Sequence, residues 1–348
     1  MKVLNSSVWL VLASIATLSL AAAQADSNAV QAGYHVIWSW PGTSIPQELI
    51  DATTAGKVGG VIFFGENIND QLPAQLESLQ DAYKKSKSYP GFPLLVVTDQ
   101  EGGKVNRLPG GPVMSAKAIG ASNDPAGEAA SAGSTVADVF SNYNTNGDLA
   151  PVVDVFREQG DFTDSVGRSF SMDTAIVGKR AASWVTSLQS RGYVATAKHF
   201  PGLGAAGKTA NTDLKPVTLN VLTEFDETPY KNAIKAGVKM IMPSWAIYPV
   251  LDSKKPSGLS KKWFQQELRG RLNFQGVTIS DALEAGAIKS FGNTGELAVL
   301  ASLAGMDIVL ASVRQVSQGS EAVDAIAAAL SSGRLDRATF EKSRRGLK

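Results

Sequence analysis

The stretch "GYVATAKHFPGLGAAGKTANTDLKP", residues 192–216, joins an apolar run to the most polar and glycine-rich interruption of the chain. The run has the character of a β-strand, and it leads into Lys198 and His199. Seven similar runs recur at broadly even spacing, beginning at Tyr34, Gly59, Pro93, Gly147, Val238, Gly276 and Met306. Most are continuously apolar, which is expected for strands buried on both faces of a parallel sheet.

The segments between these runs predict helices, because they place apolar residues at three- and four-residue intervals and several begin after Asp, Ser or Thr. The clearest are residues 126–143, 173–191, 222–236, 260–272 and 294–304, and residues 319–335 predict the last helix. Eight strand–helix units predict an α/β protein built as a single (β/α)8 barrel. An open, doubly wound sheet is the structural alternative, because a count of strands does not show closure.

The amino terminus has a separate character. It carries Lys2, an apolar run over residues 8–22 and the small residues Ala23 and Ala25. This pattern predicts a secretory signal peptide over residues 1–25, cleaved after Ala25, and hence a secreted protein with one barrel domain over residues 26–348. A membrane anchor is the alternative, but the run is shorter than the ~20 apolar residues that span a bilayer. We therefore expect no membrane span once the signal is removed.

The composition excludes several chemistries. The chain has no cysteine, so thiolate catalysis and Cys-ligated zinc are excluded. Its two histidines, His35 and His199, are too few for a His-rich metal site. Lys2 is the only charged residue of the signal, so the remaining chain balances 32 basic residues against 32 acidic ones. This zero net charge argues against a nucleic-acid or anionic-membrane partner.

Polar side chains collect where five of the strand-like runs end. The sequences there are "TDQEGGKVNR" from Thr98, "SVGRSF" from Ser165, "KHFPG" from Lys198, "PSWAIYP" from Pro243 and "SDALE" from Ser280. In a barrel the carboxyl ends of the strands meet at the face that carries the active site. Carboxylates, basic side chains and an aromatic residue together suit a sugar, so we expect a small oligosaccharide or glycoconjugate as the substrate.

The roles of individual side chains follow from their chemistry. Trp245 is expected to pack against the apolar face of a sugar ring. Asp281, directly after the apolar "GVTIS", is placed as a carboxylate nucleophile, with the N-cap of a following helix as its alternative role. Glu101 and Glu284 are further carboxylates in the same neighbourhood. Charge-assisted hydrogen bonds to sugar hydroxyls are expected from Asp99, Arg107, Arg168, Lys198 and His199.

A phosphate-binding loop is the competing interpretation of the opening stretch. The sequence "GLGAAGKT", Gly202 to Thr209, matches both G-x-x-x-x-G-K-[ST] and G-x-G-x-x-G. Both motifs need a helix to start at the glycine loop, because its N-terminal amides bind the phosphate. Pro216 and the Thr, Asn and Asp residues that precede it predict that no such helix forms.

Taken together, "TDQEGGKVNR", "GDLAPVVDV", "GRSF", "KHFPG", "MPSWAIYP" and "GVTISDAL" resemble the single-domain β-N-acetylhexosaminidases of glycoside hydrolase family 3. The resemblance runs from about Tyr34 to the carboxyl terminus. It implies a (β/α)8-type barrel that hydrolyses terminal β-linked N-acetylglucosamine with retention of configuration, without a metal or organic cofactor. It also implies that Asp281 is the nucleophile and that the five sugar-binding side chains above contact the substrate.

The acid/base position departs from this family pattern. In the hexosaminidase branch the loop after "KHFPG" ends in Asp-Ser-His, whose His is the general acid/base, whereas this chain has Asn211-Thr212-Asp213. Asp213 therefore stands where the catalytic His is expected, and a carboxylic acid is the usual acid/base of retaining glycosidases. Two alternatives stay open. Glu101 or Glu284 supplies the proton instead, or the protein is a catalytically impaired carbohydrate-binding protein.

Overall fold

The computed structural model describes residues 27–221, 223–338 and 340. The predicted signal peptide, residues 1–25, lies outside these residues. Within them, no helix combines the length and the apolar character that crossing a membrane requires.

Eight short strands form the centre of the molecule. Each is hydrogen-bonded in parallel to the next, and the last pairs with the first, so the sheet closes into a barrel. This closure confirms the predicted (β/α)8 barrel and overturns the alternative of an open, doubly wound sheet. The strands are β1 Val36–Trp38, β2 Gly60–Ile62, β3 Leu95–Thr98, β4 Gly147–Asp148, β5 Val194–Phe200, β6 Met240–Pro243, β7 Val277–Ala282 and β8 Ile308–Leu310.

One main helix follows each strand. The helices are α1 Gln47–Thr54, α2 Leu72–Lys85, α3 Pro125–Asn142, α4 Thr174–Ser190, α5 Thr228–Lys235, α6 Lys262–Arg271, α7 Thr294–Ala304 and α8 Val316–Ser331. The single helix predicted over residues 222–236 is divided into Thr223–Asp226 and α5, because Pro229 fits only the first turn of a helix. Helix α6 has π-type hydrogen bonding instead of the predicted α-helical pattern.

The minor elements lie mainly in the connections that leave the carboxyl ends of the strands. This face is consequently the elaborated one, as in barrels whose active sites are built from these loops. The minor elements are the short helices Ala116–Gly120, Phe162–Ser165 and Thr223–Asp226, the 3₁₀ turns Gly65–Asn67, Ser257–Leu259 and Gly286–Phe291, and two hairpins, Gln100–Gly102 with Val105–Asn106 and Ile247–Tyr248 with Asp252–Pro256. Residues 27–33 are also helical.

The apolar core has two layers. Alternate strand residues such as Val36 and Trp38 point outward and pack with the helices, whereas Ile37 belongs to a separate cluster that fills the barrel. This inner cluster contains Ile37, Ile62, Val97, Leu149, Met240, Met242, Val277, Ile279, Ile308 and Leu310. The barrel is therefore a packed core and not an open channel.

Candidate active site

A cavity of about 330 Å³ opens at the carboxyl ends of the strands. Its floor is the upper layer of the inner core, with Ile62, Leu149, Met242 and Leu310. Its walls are the loops that follow β2, β3, β4, β5, β7 and β8. The polar residues that line it are Asp99, Glu101, Arg107, Arg168, Lys198, His199, Thr212, Asp213, Asp281, Glu284, Ser312 and Arg314.

A network of paired charges forms one side of the cavity. Lys198 is only 2% exposed, and its Nζ lies 2.7 Å from Asp99 Oδ1 and 2.8 Å from Glu101 Oε1. Arg168 holds the same Glu101 carboxylate through two parallel hydrogen bonds, from Nε and from Nη2, each 2.7 Å long. The two loops after β3 and β4 are thus tied to the end of β5 through one buried carboxylate.

The pKa shifts of Glu101, Lys198 and Arg168 favour the charged form of each of these three side chains. Burial alone would raise the pKa of Glu101, but Arg168 and Lys198 outweigh it and hold that pKa well below its usual range. Burial alone would lower the pKa of Lys198, but Asp99 and Glu101 raise it above its ordinary value. The ion pairs with Lys198 and Arg168 therefore favour the ionised form of Glu101, which disfavours it as the proton donor.

Arg107 closes this network at the rim. Its Nη2 lies 3.7 Å from Asp99 Oδ2, a looser contact than those of Lys198. Its guanidinium lies over the Phe64 ring, 5.9 Å from the centroid, and Arg314 stacks on the same ring at 4.4 Å. Arg107 therefore keeps hydrogen-bonding capacity for a ligand.

His199 is held by a carboxylate that sequence reasoning missed. Asp154 is completely buried, and its Oδ2 lies 2.9 Å from His199 Nδ1. Its Oδ1 accepts hydrogen bonds from the backbone N–H groups of His199 and Leu203. A carboxylate is an acceptor, so His199 Nδ1 carries the proton and Nε2 is left for the cavity. The signal in the sequence is Asp154 itself, a single carboxylate inside the otherwise apolar run "PVVDV", residues 151–155.

Asp281 lies at the end of β7, inside the cavity. Burial raises the pKa of its carboxyl above the ordinary aspartate value, and the nearby Asp213 adds to the rise, while His199 and Lys198 oppose it. The alternative role as a helix N-cap is wrong, because β7 extends to Ala282 and the next long helix, α7, is capped by Asn293. Asp281 is therefore free of a capping role.

The loop over residues 201–216 contains turns, and the described helix that follows it begins only at Thr223. The glycine-rich match from Gly202 to Thr209 therefore lacks the helix that a phosphate-binding loop requires, as predicted. Asp213 lies beyond this match and lines the cavity beside Asp281. It is exposed, and within the described part of the chain its carboxylate has no hydrogen-bond or ion-pair partner.

Two expected participants do not fit their roles. Trp245 is 1% exposed and lies outside the cavity, because Gly258 packs against its ring and its Nε1 donates to the Ala282 carbonyl. The expectation that Trp245 stacks on a sugar is therefore wrong. Glu284 does line the cavity, but Ser312 and Gln318 donate to its two carboxylate oxygens.

In the part of the chain that the structure describes, no three His, Asp or Glu side chains are grouped as metal ligands.

Comparison with known proteins assigns the family. Residues 26–347 match the Glycosyl hydrolase family 3 N terminal domain. The chain belongs to glycosyl hydrolase family 3. This membership confirms the prediction of a glycosidase that acts on O-glycosyl bonds, and within the family the chain is hexosaminidase-like.

Three relatives of this family 3 chain illustrate the likeness. An uncharacterized secreted glycosyl hydrolase of Arthroderma benhamiae is 50% identical over 319 residues, which cover 90% of each chain. Beta-hexosaminidase A of Pseudoalteromonas piscicida is 32% identical over 289 residues, 77% of this chain and 48% of that protein. The solved family 3 beta-N-acetylglucosaminidase of Paenibacillus sp. FPU-7 has a TM-score of 0.85 at 30% identity, covering 91% of this chain and 61% of that one. This chain thus spans less than two thirds of the last two proteins.

Proposed function

We propose that the protein is a secreted, retaining glycosidase that removes terminal β-linked N-acetylglucosamine or a related β-linked sugar. Asp281 is its nucleophile and Asp213 its general acid/base. The observation that carries this proposal is the pairing of two carboxylates in one cavity, one at a strand end and one in a loop, beside a fixed network of charges. Retaining glycosidases use two such groups.

The first step forms a bond between Asp281 and the sugar. The Asp281 carboxylate attacks the anomeric carbon while Asp213 protonates the glycosidic oxygen, so the leaving alcohol departs neutral and a glycosyl ester remains. In the second step Asp213, now ionised, removes a proton from water, and the oxygen of that water displaces Asp281 from the anomeric carbon. The two inversions restore the original configuration, and both carboxyl groups return to their starting protonation states.

The paired charges orient the sugar during both steps. Lys198 and Arg168 are fixed by Glu101, and His199 is fixed by Asp154, so their positions are set before substrate arrives. When the sugar binds, its hydroxyl groups lose their hydrogen bonds to water and form charge-assisted hydrogen bonds instead. Their partners are Asp99, Lys198, Arg107 and Arg168. Such preorganised side chains lower the entropic cost of placing the anomeric carbon against Asp281.

The substrate class rests on the likeness to hexosaminidases. A panel of aryl β-glycosides (N-acetylglucosaminide, glucoside and xyloside), followed by NMR of the first-formed anomer, tests it. We expect the N-acetylglucosaminide to be cleaved fastest and to release the β-anomer. An initial α-anomer refutes retention, and preference for a glucoside refutes the sugar assignment. Binding of N-acetylglucosamine without turnover of any aryl glycoside supports an impaired carbohydrate-binding protein instead.

Secretion through a signal peptide over residues 1–25 is part of the same proposal. It is supported by the sequence pattern and by the relative described as secreted. Sequencing the amino terminus of the exported protein tests it. We expect the mature chain to begin at Asp26, and an exported chain that still begins at Met1 contradicts cleavage.

A further inference from the structure

The loop that carries Asp213 is attached to the loop after β7 through its backbone. Gly286 N–H donates to the Asp213 carbonyl at 2.8 Å, and Ala287 N–H donates to the Thr212 carbonyl at 3.0 Å. Strand β7, which leads into this loop, carries Asp281 near its end, five residues before Gly286. The two carboxylates of the cavity are therefore joined by a short path of main-chain hydrogen bonds.

Gly286 makes this contact possible by its size. A Cβ atom at this position would lie 2.2 Å from the carbonyl oxygen of Leu214 and 2.4 Å from its carbonyl carbon. Those atoms are backbone, so no side-chain rotation relieves the clash. The backbone of Gly286 is not in the left-handed region, so the glycine is required here by the close approach alone. Any larger residue displaces the loop at residues 212–214.

We propose that Gly286 is a positioning residue for the acid/base carboxylate: its missing side chain sets the distance of Asp213 from Asp281. The inference rests on the proposed function, because it assumes that Asp213 transfers the proton. Gly286 does not line the cavity, so it acts through the loop that carries Asp213. Proton transfer is sensitive to such placement, since a shift of about 1 Å costs on the order of 10²-fold in rate.

The test compares Gly286→Ala with Gly207→Ala. Gly207 lies in the same loop, and a Cβ there has no heavy atom within 4 Å, so its substitution is the matched control. We expect Gly286→Ala to lose about 10- to 100-fold in kcat/KM on chitobiose and less than about 3-fold on a dinitrophenyl N-acetylglucosaminide, whose leaving group needs no proton. Gly207→Ala should match wild type on both. Equal losses of Gly286→Ala on the two substrates overturn the proposal.

The same substitution in Asp213→Ala protein distinguishes an effect on the position of Asp213 from a general loss of activity. In Asp213→Ala protein the acid/base is already absent, so adding Gly286→Ala should change kcat/KM on chitobiose by less than about 2-fold. A further 10-fold loss in this background shows that Gly286 acts elsewhere and contradicts the inference. If Asp213→Ala itself shows no dependence on the leaving group, the proposed acid/base fails, which is a different outcome.

A second variant guards against misfolding of Gly286→Ala. Ala287→Pro deletes the donor to the Thr212 carbonyl at the start of a 3₁₀ turn, where proline is tolerated. We expect the same selective loss on chitobiose, smaller than that of Gly286→Ala because one hydrogen bond remains. If folded Ala287→Pro protein has the same ratio of kcat/KM values on the two substrates as wild type, the hydrogen bonds between the two loops do not position Asp213, and the proposal is contradicted.

Discussion

The paired charges at the strand ends and the loop over residues 201–216 form two sides of one cavity and are built in opposite ways. At the strand ends, buried side chains hold one another. The Glu101 carboxylate pairs with Lys198 Nζ at 2.8 Å and with Arg168 Nε at 2.7 Å. In the loop, Asp213 is exposed and its carboxylate has no partner in the described chain, while the backbone around it is hydrogen-bonded to Gly286 and Ala287. Under the proposed function, the first side orients the sugar and the second carries the proton donor.

This difference fits the two different roles that the proposed function gives to Asp281 and Asp213. Asp281 stands at the end of a strand, beside His199 and Lys198, which lower its pKa against the effect of burial. Asp213 stands on a loop whose position depends on main-chain contacts. Changes to the strand ends should therefore remove bond formation or folding stability, and changes to the loop should remove proton transfer alone.

Asp281→Ala should produce the largest effect. Without the carboxylate no glycosyl ester forms, so we expect a loss on the order of 10³-fold or more in kcat, on activated and natural substrates alike. Steady-state rates on an aryl N-acetylglucosaminide and on chitobiose measure it, and a Tm no lower than that of wild type is the control for folding. Retained turnover of the activated substrate removes Asp281 from the nucleophile role.

Asp213→Ala should lower activity in a way that depends on the leaving group, unlike Asp281→Ala. We expect a loss of about 10² to 10⁴-fold on chitobiose, which needs a protonated leaving oxygen, and a much smaller loss in the bond-forming step of an activated glycoside. Azide should restore turnover of the activated substrate, because it needs no base to attack the glycosyl ester. Equal losses on the two substrates would indicate that Asp213 positions the sugar.

Glu101→Gln should affect folding more than any change in the loop. Removing one partner from a buried ion pair leaves Lys198 and Arg168 without their shared carboxylate, which costs about 3 to 5 kcal/mol of the free energy of unfolding. Asp138→Asn, in an exposed pair with Arg191, should cost less than about 1 kcal/mol. Denaturant unfolding measures both losses of unfolding free energy. Similar losses for the two variants contradict the stabilising role given to the buried Glu101 ion pairs.

Asp148→Asn should change stability in the opposite direction. Asp148 is completely buried at the end of β4, and burial raises the pKa of its carboxyl well above the ordinary value. The folded state therefore holds this proton more tightly than the unfolded state, so the group costs stability as pH rises above its unfolded pKa.

The measurement is Tm against pH for wild type and Asp148→Asn. Asn keeps an oxygen that accepts from the Gln100 N–H, so the variant should be the more stable protein at neutral pH. The advantage should vanish below the ordinary aspartate pKa. A lower Tm for Asp148→Asn at neutral pH contradicts this account.

The strand ends were predictable from the sequence, because a continuous apolar run followed by Lys198 or Asp281 places that residue at the rim of a barrel. Trp245 has the same signature, yet the chain turns back after β6 and Gly258 covers its ring. That close approach depends on Gly258, which lies 13 residues after Trp245 in the connection between β6 and α6. The hydrophobic pattern of a single strand does not reveal it. The docking of Asp213 was also beyond sequence reasoning, since it uses backbone N–H and carbonyl groups that every residue carries.

Trapping the glycosyl ester in Asp213→Ala protein tests the central claim most directly. With a dinitrophenyl N-acetylglucosaminide the ester should form without an acid and persist without a base, so intact-mass analysis should show the gain of one sugar residue. Peptide mapping should place it on Asp281, and azide should remove it. Absence of the adduct after release of dinitrophenol, or its location on another carboxylate such as Glu284, contradicts the assignment of Asp281 and Asp213 to their two roles.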